Sequence, residues 1–482
     1  MPRQSRAASD QPTREKMYDA IIVGAGVSGL LAAYELLRLR PVSAVLLVDA
    51  GPPLERRSAQ DATTGGYGGA GLYLGGRLYF GATALPVMPP VSSPAWLRPA
   101  LSGDAFVRRA TEVDELLRAL GARAEWQQRP PEPLERAIEQ ASAAGLDYVT
   151  SYPSRRLSQE DKLVALGALR ERLLAAGAQF LFGAHVDATE RDGEGFRLAL
   201  SPASAADGGA GGIPAELRAR TLLLAPGRYG AEWLRGAATS LGARVESLPS
   251  TFGVRLEAPA SVYDPLTDVN PDPRLQRLTR DDALIKTYAT CPGGLVTAVR
   301  RYGALVASGV PIMQREQRGP TTTVAILAQP GMEGASGVWR EGERAARVLN
   351  ERTPDRLVVQ RLGDVRRGWS TTEEALAANG VRPSDSTAQP GALHDVYSVA
   401  YWRAFDDFIA RLDQLAPGIN AEDTLIYGPA EERFWGFPTD ELLQTTTPGL
   451  FMSGDGAGQS QGIIQASVCG LLAGEGMARA LG

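Results

Sequence analysis

Apolar residues along the chain fall into two periods, and the alternation between them sets out the elements. Ala20 to Val23 form a short β-branched run of the kind a central parallel strand needs. Val27, Leu30, Leu31, Tyr34 and Leu37 then recur at helical spacing, Pro41 ends the helix, and Ala44 to Val48 give a second strand that closes on Asp49. A capping-box pattern at Ser158-Gln-Glu-Asp161 opens another helix, with Leu163, Leu166, Leu169, Leu173 and Leu174 expected on its apolar side. Gly177 stops it, Gln179 to Phe182 form a strand, and residues 184–189 and 196–200 flank Asp192-Gly193 as a hairpin. Thr221 to Leu224 make one more apolar strand, ending in Ala225-Pro226-Gly227.

The middle of the chain reads differently. Residues 251–257, 285–290, 303–307 and 321–328 are strand-like with turn signals between them, which predicts a mixed or antiparallel sheet. Tyr401, Phe405, Phe408, Ile409 and Leu412 share one face of a helix over 397–412. A final strand then delivers Asp455, followed by glycines and a helix running to Leu481.

The opening elements frame Gly24-Ala25-Gly26-Val27-Ser28-Gly29. A strand before, a helix after and Asp49 twenty positions beyond the last glycine are the context a dinucleotide fingerprint requires. Gly24 permits the turn, Gly26 lets the backbone approach a pyrophosphate and Gly29 lets the helix lie against the strand. The helix N-terminus offers free N–H groups to phosphate. Asp49, with Ala50 beside it, can accept from ribose hydroxyls. The terminal segment Gly454, Asp455, Gln461, Gly462 and Ile463 repeats the same parts and supplies a second half of the site.

Between these halves, residues 65–80 combine many glycines with three tyrosines, three leucines and a phenylalanine. That mixture predicts a packed loop against a flat ligand, with Gly76 and Arg77 available to it. Residues 201–212 are an Ala/Gly/Ser-rich connection and residues 1–16 a disordered tail.

Composition narrows the function. The chain has 482 residues, 44% hydrophobic and 22% charged, with a formal net charge of −5, so no basic field favours nucleic acid. It contains no apolar run long enough for a membrane span. Two distant cysteines, Cys291 and Cys469, exclude a CxxC redox pair, and with two histidines, His185 and His394, no metal site is expected. A cytoplasmic setting follows.

Together, the Gly24/Gly26/Gly29 turn with Asp49, the Leu224-Ala225-Pro-Gly227 strand end and Ser453-Gly-Asp455 resemble the glutathione-reductase-type FAD fold. That resemblance implies that Asp49 binds the adenosine ribose, Asp455 the ribityl or pyrophosphate region, and the Val186 backbone the adenine. Gly68 to Arg77, Ala225 to Trp233, Phe252 to Glu257, Tyr288 to Gly294 and Gly454 to Gly458 are similar to the uncharacterised FAD-dependent (NAD/FAD-utilising) dehydrogenases. The similarity covers most of residues 17–482. Two departures stand out: an N-terminal domain that many members carry is missing, and the loop at Leu72-Tyr-Leu-Gly75 differs.

The expectation is therefore an α/β protein with a Rossmann-like FAD-binding domain, a parallel sheet with helices, plus a mixed or antiparallel-sheet substrate domain. Residues 17–88, 154–230 and 442–482 are assigned to the first, and 89–153 and 231–441 to the second. FAD is the expected cofactor, with NADPH or NADH only as a transient electron donor. The partner is a small-molecule substrate that exchanges hydride with flavin N5, with no nucleic acid and no membrane. Arg255, Tyr288 and Cys291 are the catalytic candidates: a carboxylate anchor, a proton relay and a thiol. For each, a role in supporting the fold is an equal alternative. A flavin monooxygenase or oxidase using O2 is the rival reading, and a non-redox or RNA-modifying flavoprotein is the more distant one.

Overall fold

The computed structural model describes residues 16–58, 65–73, 76–80, 103–150, 152–193, 195–203, 213–280, 283–301, 303–310, 312, 315–329, 335–460 and 462–482. Two sheets organise it.

In the first sheet, strands Gln179–Phe182, Val45–Asp49, Met17–Val23 and Glu216–Leu224 lie side by side and parallel, and Leu450–Met452 adds in parallel beyond Glu216–Leu224. The register places Val23 beside both Val48 and Leu224, and Leu224 beside Met452. All five strands therefore discharge their chains at one edge, where α/β sheets bind ligands. The amino-terminal half of Glu216–Leu224 pairs instead with Gly195–Pro202, which pairs with Ala184–Asp192 in the expected hairpin.

Alternate residues of these strands build two cores. Ala20, Ile22, Leu47 and Leu223 face helices Val27–Leu39 and Ile463–Ala480. Ile21, Val23, Leu46, Val48 and Leu224 face the hairpin and helix Ala231–Ser240. The two long helices touch at backbone distance: a Cβ on Gly470 would stand 2.4 Å from the Ser28 carbonyl oxygen, and one on Gly474 2.5 Å from that of Ala32.

The second sheet runs in the order Gln389–Pro390, Val358–Arg361, Leu425–Gly436, Glu246–Pro259, Thr321–Gln329, Leu284–Cys291, Leu275–Leu278, Asp147–Tyr148. It is antiparallel apart from its first pair, matching the mixed sheet read from the sequence. Helix Val399–Leu412 buries all five of its predicted apolar residues beneath it, against Val254, Leu256, Ile285 and Ile326. The opposite face carries Lys286, Tyr288, Ala325, Leu327, Arg255, Ala430 and Glu432.

Two expectations change at the level of packing. Helix Gly103–Ala119, placed by the sequence with the substrate region, buries Phe106, Ala110 and Val113 in the core of the first sheet, as helix Ala231–Ser240 does with Leu234 and Ala238. Helix Gln159–Ala175 does begin with the Ser158/Asp161 capping box, but its buried face is Lys162, Ala165, Leu169 and Leu173. Leu163 and Leu174 are exposed because core neighbours lie one position further round the helix.

Candidate functional site

The site starts at the carboxyl edge of the first sheet. Gly24 turns the chain with a φ of 108°, and a Cβ there would lie 2.2 Å from the Ala225 carbonyl oxygen. Gly29 is under the same constraint, at 1.9 Å from the Gly24 carbonyl oxygen. Gly26 is different. The nearest atom to its absent Cβ is Gly69 Cα at 3.9 Å, so the protein itself leaves room for a side chain. Gly227, with a φ of 70°, likewise has nothing within 4 Å. The positive φ of Gly227 already calls for glycine, whereas glycine at position 26 answers to something outside the polypeptide.

Asp49 sits at the end of its strand, and its carboxylate holds the turn together. Oδ2 accepts from Ala25 N–H at 2.7 Å, and Oδ1 from Gly51 N–H at 2.8 Å and Gly66 N–H at 2.9 Å. Ala50 is exposed beside it. The glycine-rich segment is packed as expected over its described residues: Tyr67 is fully buried, Gly68 N–H bonds the Ala25 carbonyl at 2.8 Å, and the buried Arg57 guanidinium bonds the carbonyls of Tyr67 and Gly69. Gly76 accepts from Leu157 N–H at 2.7 Å, and Arg77 donates to the Tyr152 hydroxyl at 2.6 Å. The Val186 carbonyl, expected at the adenine, accepts from Trp233 Nε1 at 2.7 Å.

On the other side, Ser453 bonds the Ser28 hydroxyl and so ties the last strand to the first helix. Gly454 (φ 88°) then swings Asp455 inward, and Gly462 and Ile463 begin the terminal helix; Gln461 lies outside the described residues. Four polar atoms in this turn are buried without a hydrogen-bond partner among the described residues: Asp455 Oδ1, Gln459 Oε1 and Nε2, and Ser460 Oγ. Burial pushes the Asp455 carboxyl up from its ordinary range, Arg228 pulls it back and Glu432 adds to the rise. Buried orphan groups cost free energy unless something satisfies them. A polar ligand with hydroxyl and phosphate groups does so here, and the glycine cradle gives it room. FAD fits both halves.

The catalytic candidates separate. Arg255 and Cys291 lie together but are engaged with each other and the fold. Arg255 Nη2 reaches Thr323 Oγ1 at 2.7 Å, the Ala289 carbonyl at 2.8 Å and Cys291 Sγ at 3.1 Å, under hairpin Leu295–Val310. Burial pushes the Cys291 thiol up, against the pull of Arg255, so it is not a thiolate at neutral pH. Ala289, whose carbonyl takes part, has a φ of 48° in the bulge between Tyr288 and Cys291.

Tyr288 goes elsewhere. Its phenol is pushed to about 12, by burial first and then by Glu432, while Arg228, Arg274 and Asp455 also act on it. The residues acting on Tyr288 and on Asp455 therefore overlap in Arg228, Glu432 and Arg274. Glu432 in turn lies 3.6 Å from Arg228 and 3.0 Å from Arg301. Of this polar group the sequence pointed to Tyr288 and Asp455 but not to Arg228, Arg274 or Glu432. Its one further legible signal is the period-two spacing that puts Lys286 on the same strand face as Tyr288. Among the described residues no His/Cys/Asp/Glu cluster could hold a metal, and no helix is long and apolar enough to cross a membrane.

The chain is similar in structure to several flavoproteins. Glycine oxidase from Geobacillus kaustophilus is 14% identical over 96% of this chain and 95% of its own, with a TM-score of 0.37. The E. coli quinol fumarate reductase FrdA is 15% identical over 98% and 71%, with a TM-score of 0.41. p-Nitrophenol 4-monooxygenase PnpA from Pseudomonas putida is 13% identical over 98% and 80%, with a TM-score of 0.36. Likeness at these values carries no further argument. No curated protein matches in sequence. The family model for FAD dependent oxidoreductases (DAO), however, matches residues 19–372, well over half of the chain. The glycine cradle and the orphaned polar turn thus have their owner: the chain belongs to the DAO family and is an FAD-dependent oxidoreductase.

Proposed function

We propose that the face of the second sheet carrying Tyr288 is the substrate side of the flavin, and that a small organic molecule is oxidised or reduced between it and Asp455. The observation behind this reading is the 3.6 Å ion pair between Arg228, which follows strand Glu216–Leu224 of the first sheet, and Glu432 on strand Leu425–Gly436 of the second, two charges that act on both Tyr288 and Asp455. Bound FAD supplies a two-electron acceptor or donor at N5. The chain's own residues hold and orient. The N–H groups opening helix Val27–Leu39 would receive the pyrophosphate, Asp455 and the Gln459–Ser460 turn would take the ribityl hydroxyls, and Asp49 would bind the ribose. Tyr288, protonated at neutral pH, donates a hydrogen bond to the substrate. Arg255 and Cys291 support the bulge that aims it. Residues 17–88, 154–230 and 442–482, joined by helices Gly103–Ala119 and Ala231–Ser240, form the cofactor domain, and the second sheet forms the substrate domain. Two buried, unpaired cysteines suit a reducing, cytoplasmic setting.

The test is the absorption spectrum of the purified protein, with flavin bands expected at about 370 and 450 nm. Anaerobic mixing with amines, alcohols and cyclic acids, and separately with NADPH and NADH, follows. Bleaching by an organic substrate alone supports the reading. Bleaching by nicotinamide coupled to oxygen uptake and hydroxylation replaces it with a monooxygenase, and failure to retain FAD removes it.

A further inference from the structure

Of the 50 basic residues in this chain, only three are lysines: Lys16, Lys162 and Lys286. Arginine serves everywhere else on the surface and in ion pairs. Arginine stays charged in a protein, whereas a buried lysine amine can be neutral. Two of the three lysines, Lys162 and Lys286, are buried, and Lys286 is the one on the strand that bears Tyr288.

Lys286 is buried (6% exposed) on the strand face that bears Tyr288 two residues later. Its Nζ has one hydrogen-bond acceptor among the described residues, the neutral amide oxygen of Gln329 at 3.0 Å. The charged groups that bear on it are Arg274, which precedes strand Leu275–Leu278, Arg228, which follows Glu216–Leu224, and Glu432 on Leu425–Gly436. Two cations thus oppose one anion around an amine held in the interior. Arg228, Arg274 and Glu432 are also the charges that bear on Tyr288 and Asp455, so Lys286 belongs to the same polar group.

We propose that Lys286 is the catalytic proton acceptor of this site, taking the proton from the O–H or N–H group on the substrate carbon that is oxidised, while Tyr288 remains a hydrogen-bond donor. This rests on the substrate side assigned above. In the step, the O–H or N–H bond breaks and its electron pair stays on the substrate to form the C=O or C=N bond. The proton passes to Nζ, and the hydride leaves the carbon for the cofactor that the family supplies. The environment sets the two groups apart in the way such a division needs. Burial, with Arg274 and Arg228, brings the Lys286 ammonium down to about 7, whereas burial takes Tyr288 to about 12. Tyr288 therefore cannot serve as the base at neutral pH, and Lys286 can.

The scarcity of lysine makes the test direct. In FAD-loaded protein labelled with 13C at lysine Cε, three signals are expected, and Lys286→Met identifies one of them. That signal should titrate near pH 7, and the visible flavin spectrum should shift with the same midpoint. The spectral shift should vanish in Lys286→Met and persist in Tyr288→Phe. With the compound that bleaches wild-type flavin, the anaerobic bleaching rate should rise through the same midpoint, and Lys286→Met and Lys286→Arg should each slow it by about a hundredfold or more. A Lys286 signal that stays charged beyond pH 9, or a bleaching rate unchanged in both variants, overturns the proposal while FAD binding and the site stand. A protein that takes up no FAD overturns the site itself, and this proposal with it.

Discussion

The two sheets hold their chemistry in different currencies. At the edge of the first, the backbone does the work: glycine turns, helix N-termini and one aspartate collecting three amides. On the second, the side chains do it, and the backbone only fixes which of them face the same way. A backbone site tolerates few sequences and leaves a spaced signature. A side-chain site is assembled across strands far apart in the chain, and apart from Lys286 and Tyr288, two residues apart on one strand, its members follow no spacing. This contrast predicts what substitutions on each side should break.

The largest effect is expected at Gly29. Its Cβ would meet backbone rather than a movable side chain, so Gly29→Ala should cost more than about 3 kcal/mol and abolish FAD retention, seen as lost absorbance near about 450 nm and a collapsed thermal transition. Next is Arg255→Met, which strips the hydrogen bonds from Thr323, Ala289 and Cys291 and should cost about 3 kcal/mol in denaturant unfolding of the apoprotein. Its FAD affinity, measured at a temperature where it is folded, should stay within about twofold; a loss of tenfold would place Arg255 on the cofactor.

Gly26→Ala should separate binding from folding. The apoprotein has room for the methyl group, so its melting temperature should hold, while FAD affinity falls by at least about tenfold because the pyrophosphate can no longer approach. Unchanged affinity would remove Gly26 from the cofactor site. The smallest effect belongs to Asp455→Asn in the apoprotein. The folded carboxyl titrates above its unfolded range of about 3.9, so folding takes up protons and the buried charge is destabilising above that raised value. The variant should therefore melt higher than wild type at pH 8, and the gap should close as the pH falls. A gap that widens toward low pH would contradict the burial of Asp455.

Legibility followed the same division. The strand, turn and helix at 17–39, the capping box at Ser158, the hairpin around Gly193 and the apolar face of helix Val399–Leu412 were all readable, because each depends on neighbours close in sequence. On helix Gln159–Ala175 the expected Leu169 and Leu173 are buried and Leu166 packs against the core, whereas Leu163 and Leu174 satisfy a helical period without meeting it. Helix Gly103–Ala119 was grouped with the wrong sheet for a related reason: its sequence says that it has an apolar side, not where that side docks. Tyr288 was found from its motif, whereas Lys286, Glu432, Arg228 and Arg274 required the register of four strands and two loops. Arg255 and Cys291 looked like chemistry in the sequence because charge and thiol stood on strands. Their partners show how a polar pair can be absorbed by a bulge.

The close approach of the first and last helices has a consequence for biosynthesis. The opening strand, turn and helix leave the ribosome early, yet Gly470 and Gly474 must seat against Ser28 and Ala32, and Ser453 against Ser28, before the cradle has its second wall. A nascent chain therefore carries a complete fingerprint for most of its synthesis without a complete place for flavin. Cofactor capture becomes a late event, coupled to the docking of residues after 450, and free FAD should accelerate the final folding step of a refolding chain rather than its first.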